Sequence, residues 1–286
     1  MKKLLALALC LVMVLSLCAC ASTPSESTTT PKTDGSEDVG FSTVTPGVLT
    51  VATSPDFAPY EFYAIDEDGN HHLAGFDIAL AHYIADYLDL ELKIVPMDFD
   101  GILMELATGN VDLGIAGLSP SPDRMEAMDF SDIYYLGGQS FVTVKGNEDM
   151  FPTLESVNNP DFSIGAQTGS IQYALAQEHA ADSYIVMLAK VTDIIMELIS
   201  GKMDGAFIET AVAECYAITY PDLAIVLDVP YENEGSAIGV TKGNAELLAA
   251  VNEAVAAALS DGSMDRFIAE ANELATGNVF EGLLDG

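Results

Sequence analysis

The segment Gly117-Leu118-Ser119-Pro120-Ser121-Pro122-Asp123-Arg124 follows an apolar run at 111–116 and opens a helix. Such a turn gathers free backbone N–H groups and hydroxyls, which favours an anion. Arg124, five residues after Ser119, has the reach to fold back and clamp a carboxylate in a bidentate fork. The alternative is a surface arginine paired with one of 44 acids. The chain has only two arginines, Arg124 and Arg266, and the position of Arg124 beside the turn favours the clamp. A second loop, Gln167-Thr168-Gly169-Ser170-Ile171-Gln172, follows the apolar run 162–166 and opens another helix. It offers the same kind of N–H nest, is too short for a phosphate-binding loop, and is not followed by Gly-Lys-Ser/Thr. Alone it reads equally as an ordinary helix cap; with Arg124, the two turns are able to share one carboxylate.

Glu209 ends the apolar run Ala206-Phe207-Ile208. An acid there needs water or a positive partner, so it is either a solvent-facing strand end or the acceptor of an ammonium, and the second is preferred. Phe57 and Tyr60 lie in the loop between Pro55 and Pro59 and just beyond it, where aromatic faces cover an apolar or cationic side chain or pack into a core. Tyr60 suits either role, whereas Phe57 leans toward the ligand. The chemistry is that of holding. No nucleophile–histidine–acid set is visible. His71 and His72 are adjacent in a polar turn without metal-ligand spacing. Asp66-Glu67-Asp68-Gly69-Asn70 lacks the glycine and closing glutamate positions of a calcium loop and reads as a hairpin turn. Neither a cofactor nor a metal is expected.

The elements that must carry these residues alternate. Strands are expected at 48–52, 91–95, 111–116, 162–166, 184–188 and 204–208. Helices are expected from Asp77, at 101–108, 171–178 and 192–200, and after Glu209. Alternation of this kind argues for parallel α/β sheets. Met104-Glu105-Leu106-Ala107-Thr108-Gly109-Asn110-Val111-Asp112 is echoed 92 residues later by Met196-Glu197-Leu198-Ile199-Ser200-Gly201-Lys202-Met203-Asp204. Either this is chance similarity of a common helix–Gly–strand connection, or the chain has two similar lobes. In the second case Gly117 and Glu209, just past equivalent strands, border one cleft, since open α/β sheets bind ligands beyond their carboxyl ends.

The 286 residues are half hydrophobic with a formal net charge of −34, enough for about two domains and too acidic for a nucleic-acid partner. Lys2 and Lys3 precede an apolar stretch, 4–17, of signal-peptide length, ending Leu17-Cys18-Ala19-Cys20. This end resembles a bacterial lipobox with Cys20 as the lipidated residue; a plain signal peptide is the other possibility. Loss of residues 1–19 would remove two lysines and no acid, leaving −36. Residues 21–46, rich in Ser and Thr with Pro24, Pro31 and Pro46, read as a disordered tether. Cys215 would then be the one other cysteine, a core thiol without a disulfide partner.

Taken in order, Val51-Ala52-Thr53-Ser54-Pro55-Asp56-Phe57-Ala58-Pro59-Tyr60-Glu61-Phe62, Gly75-Phe76-Asp77-Ile78, Gly117-Leu118-Ser119 to Arg124, and Asp129-Phe130-Ser131-Asp132-Ile133-Tyr134 resemble the polar amino-acid-binding proteins of ABC importers. These are the family 3 extracellular solute-binding proteins, of periplasmic-binding-protein type II fold. The likeness covers about residues 46–275. It implies two similar α/β lobes with a ligand cleft between them, joined by hinge strands at 140–145 and 236–242. The expected organisation is a signal peptide (1–19), a lipid-anchored tether (20–45), lobe one (46–143 and 237–286) and lobe two (144–236). By resemblance, Arg124 with Ser119 and Ser170 clamps a ligand α-carboxylate in a loop completed by Thr168 and Gly169. Glu209, helped by the Gly117 carbonyl, receives the α-ammonium, and Leu118 belongs to the same turn. Phe57 covers the ligand side chain. Ser54 stands where relatives selective for basic or amide side chains carry Asp, which weakens a lysine or arginine ligand. Many relatives have Asp in place of Glu209.

The resemblance implies a monomer on the outer face of the bacterial cytoplasmic membrane. It would capture a free L-amino acid and deliver it to a permease whose partner subunits hydrolyse ATP. Two rivals remain. One is an exported enzyme of the cyclohexadienyl dehydratase kind, which turnover of prephenate or a similar acid would favour. The other is a sensor ectodomain, for which the sequence offers no signalling domain.

Overall fold

The computed structural model describes residues 40–66, 68–232 and 235–278. The expected signal peptide, Cys20 and the tether through residue 39 lie outside the described residues. Residues 41–45, assigned above to the tether, are instead pinned to the fold. Phe41 packs against the main apolar cluster, Val44 N donates to Asp112 Oδ1 at 2.7 Å, and Asn244 Nδ2 donates to the Ser42 carbonyl at 2.8 Å.

In the first half of the chain run β1 (Val48–Thr53), β2 (Asp56–Phe57), β3 (Glu61–Ile65), β4 (His71–Ala74), α1 (Phe76–Tyr87), β5 (Glu91–Pro96), α2 (Phe99–Thr108), β6 (Leu113–Gly114), α3 (Pro122–Ala127) and β7 (Met128–Phe130). Then follow β8 (Gln139–Val144), β9 (Ser163–Gln167), α4 (Ile171–His179), β10 (Tyr184–Leu188), α5 (Val191–Ile199), β11 (Gly205–Glu209) and α6 (Thr210–Thr219). The last elements are β12 (Leu223–Asp228), β13 (Gly239–Thr241), α7 (Ala245–Ser260) and α8 (Ser263–Asn278).

Two five-stranded sheets form the lobes, in the orders β5-β1-β6-β13-β7 and β10-β9-β11-β8-β12. The expected βα alternation makes β5-β1-β6 and β10-β9-β11 parallel. The sheets as a whole are mixed rather than parallel, because β13 and β8 run antiparallel to their neighbours. Those two strands are the stretches read from the sequence as hinges, and both run inside the sheets. The chain crosses between lobes from β7 to β8 and returns from β12 to β13, and Tyr135 bridges Ser236. A small sheet, β2-β3-β4, stands on the first lobe; the β3–β4 turn is the expected hairpin, with Asp66 Oδ1 accepting from Asp68 N and Asn70 N.

The sequence echo has a structural counterpart. Gly109 and Gly201, at φ +71° and +73°, close α2 and α5 in left-handed backbone. Each following aspartate then takes the amide of a residue in the neighbouring parallel strand: Asp112 Oδ2 from Thr50 N and Asp204 Oδ2 from Ser163 N, both at 2.8 Å. An apolar cluster spans both lobes, with Leu49, Phe76 and Ile84 of the first and Ile194, Val212 and Tyr216 of the second. α7 and α8 pack on α1, and α8 also meets β3 and α6. Cys215 is buried, and burial pushes its thiol up to about 12, consistent with a core role. No helix among the described residues is long and apolar enough to cross a membrane.

Candidate functional site

The expected anion turn begins where β6 ends. Gly117 has φ +56°, and a Cβ there would lie 2.9 Å from the Phe57 ring and 3.4 Å from the Tyr60 ring. Glycine therefore lets the turn press on both aromatics. Ser121 caps α3, accepting from Arg124 N, with Pro122 at the first helical position. This local geometry sends the Arg124 side chain back over the turn. Nη1 donates to the Ser119 carbonyl at 2.8 Å, and the guanidinium lies 5.4 Å from the centroid of the Phe99 ring. Nη2 donates across to the Gly169 carbonyl of the second lobe at 3.0 Å. Burial lowers its pKa to about 10, so the group keeps its charge at neutral pH.

On the second lobe, Gly169 (φ +76°) brings the expected loop against α2, where a Cβ would stand 3.2 Å from that of Asp100. The hydroxyls of this loop face their own backbone. Ser170 Oγ accepts from Tyr173 N, capping α4, and donates to the Gln167 carbonyl at 2.7 Å. Thr168 Oγ1 donates to the Leu188 carbonyl at 3.2 Å. The Ser170 hydroxyl thus caps α4.

Glu209 ends β11 and caps α6, its Oε2 accepting from Val212 N at 2.9 Å. Far from facing solvent, the side chain is buried, and Oε1 accepts no hydrogen bond from the protein. The Tyr60 hydroxyl stands near it without hydrogen-bond alignment. Burial raises the Glu209 carboxyl to about 7, against the lowering effect of the Val212 amide and of Tyr60. Tyr60 is wholly buried; its ring lies 5.2 Å from Phe57 and 4.3 Å from Phe76, and its hydroxyl reaches the acid. Its ring belongs to the apolar core, and Phe57 packs against it in the same cluster.

Gly117 and Glu209 therefore meet at Tyr60, and Arg124, Ser119 and Gly169 form one bonded group. Two other expected residues point elsewhere. Leu118 buries its side chain with Ile102 and Leu106, and its carbonyl accepts from Ala237 N. Ser54 Oγ donates to Asp56 Oδ1 at 2.8 Å within its own loop.

Sequence reasoning missed a supporting layer. Asp77, expected to open α1, sits inside its first turn behind Gly75. Its Oδ2 accepts from Gly117 N and from the Tyr134 hydroxyl, both at 2.9 Å. The Glu61 carboxyl lies beside it; both Glu61 oxygens and Asp77 Oδ1 are buried without a donor, the arrangement of two acids sharing a proton. Burial and the neighbouring Asp77 hold Glu61 well above the usual range, while Asp77 is pushed up by burial to about 6. Gln172 Nε2 donates to Gln139 Oε1 at 2.8 Å, tying α4 to β8. Spacing along the chain carries no trace of these pairings, although an acid inside the otherwise apolar β3 was a signal that it needs a partner. A cavity of about 480 Å³ runs between Ser119, Ser121, Ile171, Leu175 and Tyr231, within the size range of small-molecule sites. No cluster able to hold a metal occurs among the described residues.

The model of the Bacterial extracellular solute-binding proteins, family 3, matches residues 49–271. The chain belongs to this family. Among similar proteins, the Arginine-binding extracellular protein ArtP of Bacillus subtilis (strain 168) is 30% identical over 222 residues, 76% of this chain and 83% of its own. The amino acid ABC transporter substrate-binding protein AbpA from Streptococcus pneumoniae Canada MDR_19A, solved bound to L-arginine, matches with a TM-score of 0.77 at 32% identity, covering 81% of this chain and 97% of that one. Cyclohexadienyl dehydratase of Pseudomonas aeruginosa is 26% identical over 180 residues, 63% of this chain and 66% of its own. The family 3 fold here is of the periplasmic-binding-protein type II class, two α/β lobes with the Arg124 and Glu209 elements on either side of their junction.

Proposed function

We propose that the protein captures a free amino acid between its lobes and delivers it, from a lipid anchor on Cys20 outside the cytoplasmic membrane, to an ABC importer. The observation that carries the reading is the buried Glu209 Oε1, an acceptor with no protein donor, set beside the aromatic wall that also borders the Arg124 turn. A zwitterion matches that pair: carboxylate to the guanidinium and Ser119, ammonium to Glu209 and the Gly117 carbonyl. Phe57 and Tyr60 flank the aliphatic part. Thr168 and Gly169 shape the facing loop, and Ser170 holds it by capping α4. Names of relatives support the ligand class, since ArtP is called arginine-binding and AbpA was solved with L-arginine. Closure follows from differential affinity, because a ligand touching both lobes stabilises them together.

The test is a thermal-shift screen of the purified protein against the twenty L-amino acids, followed by calorimetry. The expected result is one-to-one binding of one or a few, with micromolar affinity worth about −8 kcal/mol. Absence of binding to all twenty overturns the reading. For the anchor, radiolabelled palmitate fed to an expressing bacterium should enter the full chain and not Cys20→Ser.

The 26% likeness to a dehydratase favours one second reading, an exported enzyme. Turnover of prephenate without amino-acid binding would establish it; binding without turnover supports the carrier.

A further inference from the structure

Helix α5 starts on a residue that cannot cap it. Its N-cap, Lys190, makes no side-chain cap bond, and an ammonium accepts none. The first helical amide is nevertheless satisfied from the other lobe: Val191 N donates to Asp56 Oδ2 at 2.6 Å. Gln167 Nε2, at the end of β9, donates to the same oxygen at 3.3 Å and to the Ala189 carbonyl at 3.0 Å. The Tyr216 hydroxyl of α6 donates to the Asp56 backbone carbonyl at 3.0 Å. The remaining carboxylate oxygen is held by the Ser54 hydroxyl. Of these four bonds accepted by Asp56, those from Val191, Gln167 and Tyr216 cross between lobes, and Asp56 is 6% exposed.

We propose that Asp56 is a positioning residue that caps α5 in trans and so acts as a closing latch, strengthening the grip on any bound amino acid without choosing among them. The inference rests on the amino-acid reading above. Its physical basis is that the bonds exist only when the lobes meet. Opening exposes an uncapped helix end and returns Asp56 to water, so the latch adds to the closed state alone. Burial raises the Asp56 carboxyl to about 6, which leaves it ionised at neutral pH, the form that best accepts an amide at the positive end of a helix. Arg124 to Gly169 is a second crossing bond, but its guanidinium also faces the ligand turn. Asp56 is the clasp whose partners are all protein.

The experiment compares Asp56→Ala and Asp56→Asn with the wild type by calorimetry, using every amino acid that the wild type binds, and by amide hydrogen exchange at Val191. Asp56→Ala should weaken each amino acid by about the same factor, about tenfold. Asp56→Asn, which keeps an acceptor, should lose less. Val191 exchange should be faster in Asp56→Ala than in the wild type with no amino acid present, and should slow on binding in the wild type only. Unchanged affinity in Asp56→Ala, or a loss confined to one amino acid, overturns the latch. So does Val191 exchange that ignores both the ligand and the variant. If Asp56→Ala does not fold, the asparagine variant and the wild-type exchange data decide. If the wild type binds no amino acid, the functional reading fails by itself, and ligand-free exchange still judges the cap.

Discussion

Tyr60 and Glu209, from opposite lobes, converge on one point: a Cβ on Gly137 would sit 2.9 Å from the Tyr60 hydroxyl and 2.7 Å from Glu209 Oε1. The acid is thereby buried against a phenol and a backbone that cannot neutralise it, which is why its carboxyl rises to about 7. An ammonium beside it favours the ionised form and lowers that value. Below pH 7 the ligand-free acid holds a proton that binding must release, so affinity should be steady above pH 8 and fall as pH drops from 7 toward 5. Calorimetry at pH 6.5 in buffers of different ionisation enthalpy should register proton release, and Glu209→Gln should abolish it. Proton uptake at Glu209 would remove it as the ammonium partner.

Arg124 turns its fork on the Ser119 and Gly169 carbonyls, and in the proposed reading a ligand carboxylate takes their place. Arg124→Ala should weaken amino-acid binding at least about 100-fold, near 3 kcal/mol, since it strands the carboxylate. Arg124→Lys keeps the charge and loses the planar fork, so most of the defect should persist. Wild-type affinity in either folded variant would dismiss the clamp.

The Glu61–Asp77 pair makes stability depend on pH. The native Glu61 pKa lies above its ordinary value, so the folded state binds the proton more tightly than the unfolded one. Its contribution is full below the ordinary carboxylate range and declines as pH rises toward the native value. Glu61→Gln has no such proton to lose, and its amide is a donor for Asp77 Oδ1. The gap in melting temperature in favour of the variant should widen from pH 6 to pH 9; parallel curves would contradict the shared proton.

Gly75 tolerates no side chain. At φ +119° a Cβ would fall 2.1 Å from the Tyr60 carbonyl oxygen, a backbone atom that cannot swing away. Gly75→Ala should destabilise by about 3 kcal/mol or more in urea unfolding. Gly146 (φ +98°) has no atom within 4 Å of its would-be Cβ, so Gly146→Ala should lose only about 1–2 kcal/mol, from backbone strain alone.

Local signals in the sequence carried far. The Gly109–Asp112 and Gly201–Asp204 echo marked equivalent units, because a left-handed glycine and a strand-capping aspartate are one-residue requirements. The return of Arg124 onto Ser119 was legible in their five-residue spacing. What crosses between distant segments was not. Asp56 to Val191 and Glu61 to Asp77 depend on how sheets and lobes meet, and no periodicity encodes that. The antiparallel strands β8 and β13 were taken for hinges because two crossing segments look the same in sequence whether they enter a sheet or skirt it.

Helix α8 rests on α1 and β3 of one lobe and on α6 of the other. Its buried Phe267, Ala271 and Ala275 belong to the apolar cluster that spans both lobes. The carboxy-terminal helix is therefore shared property of the two halves, packed against both and owned by neither.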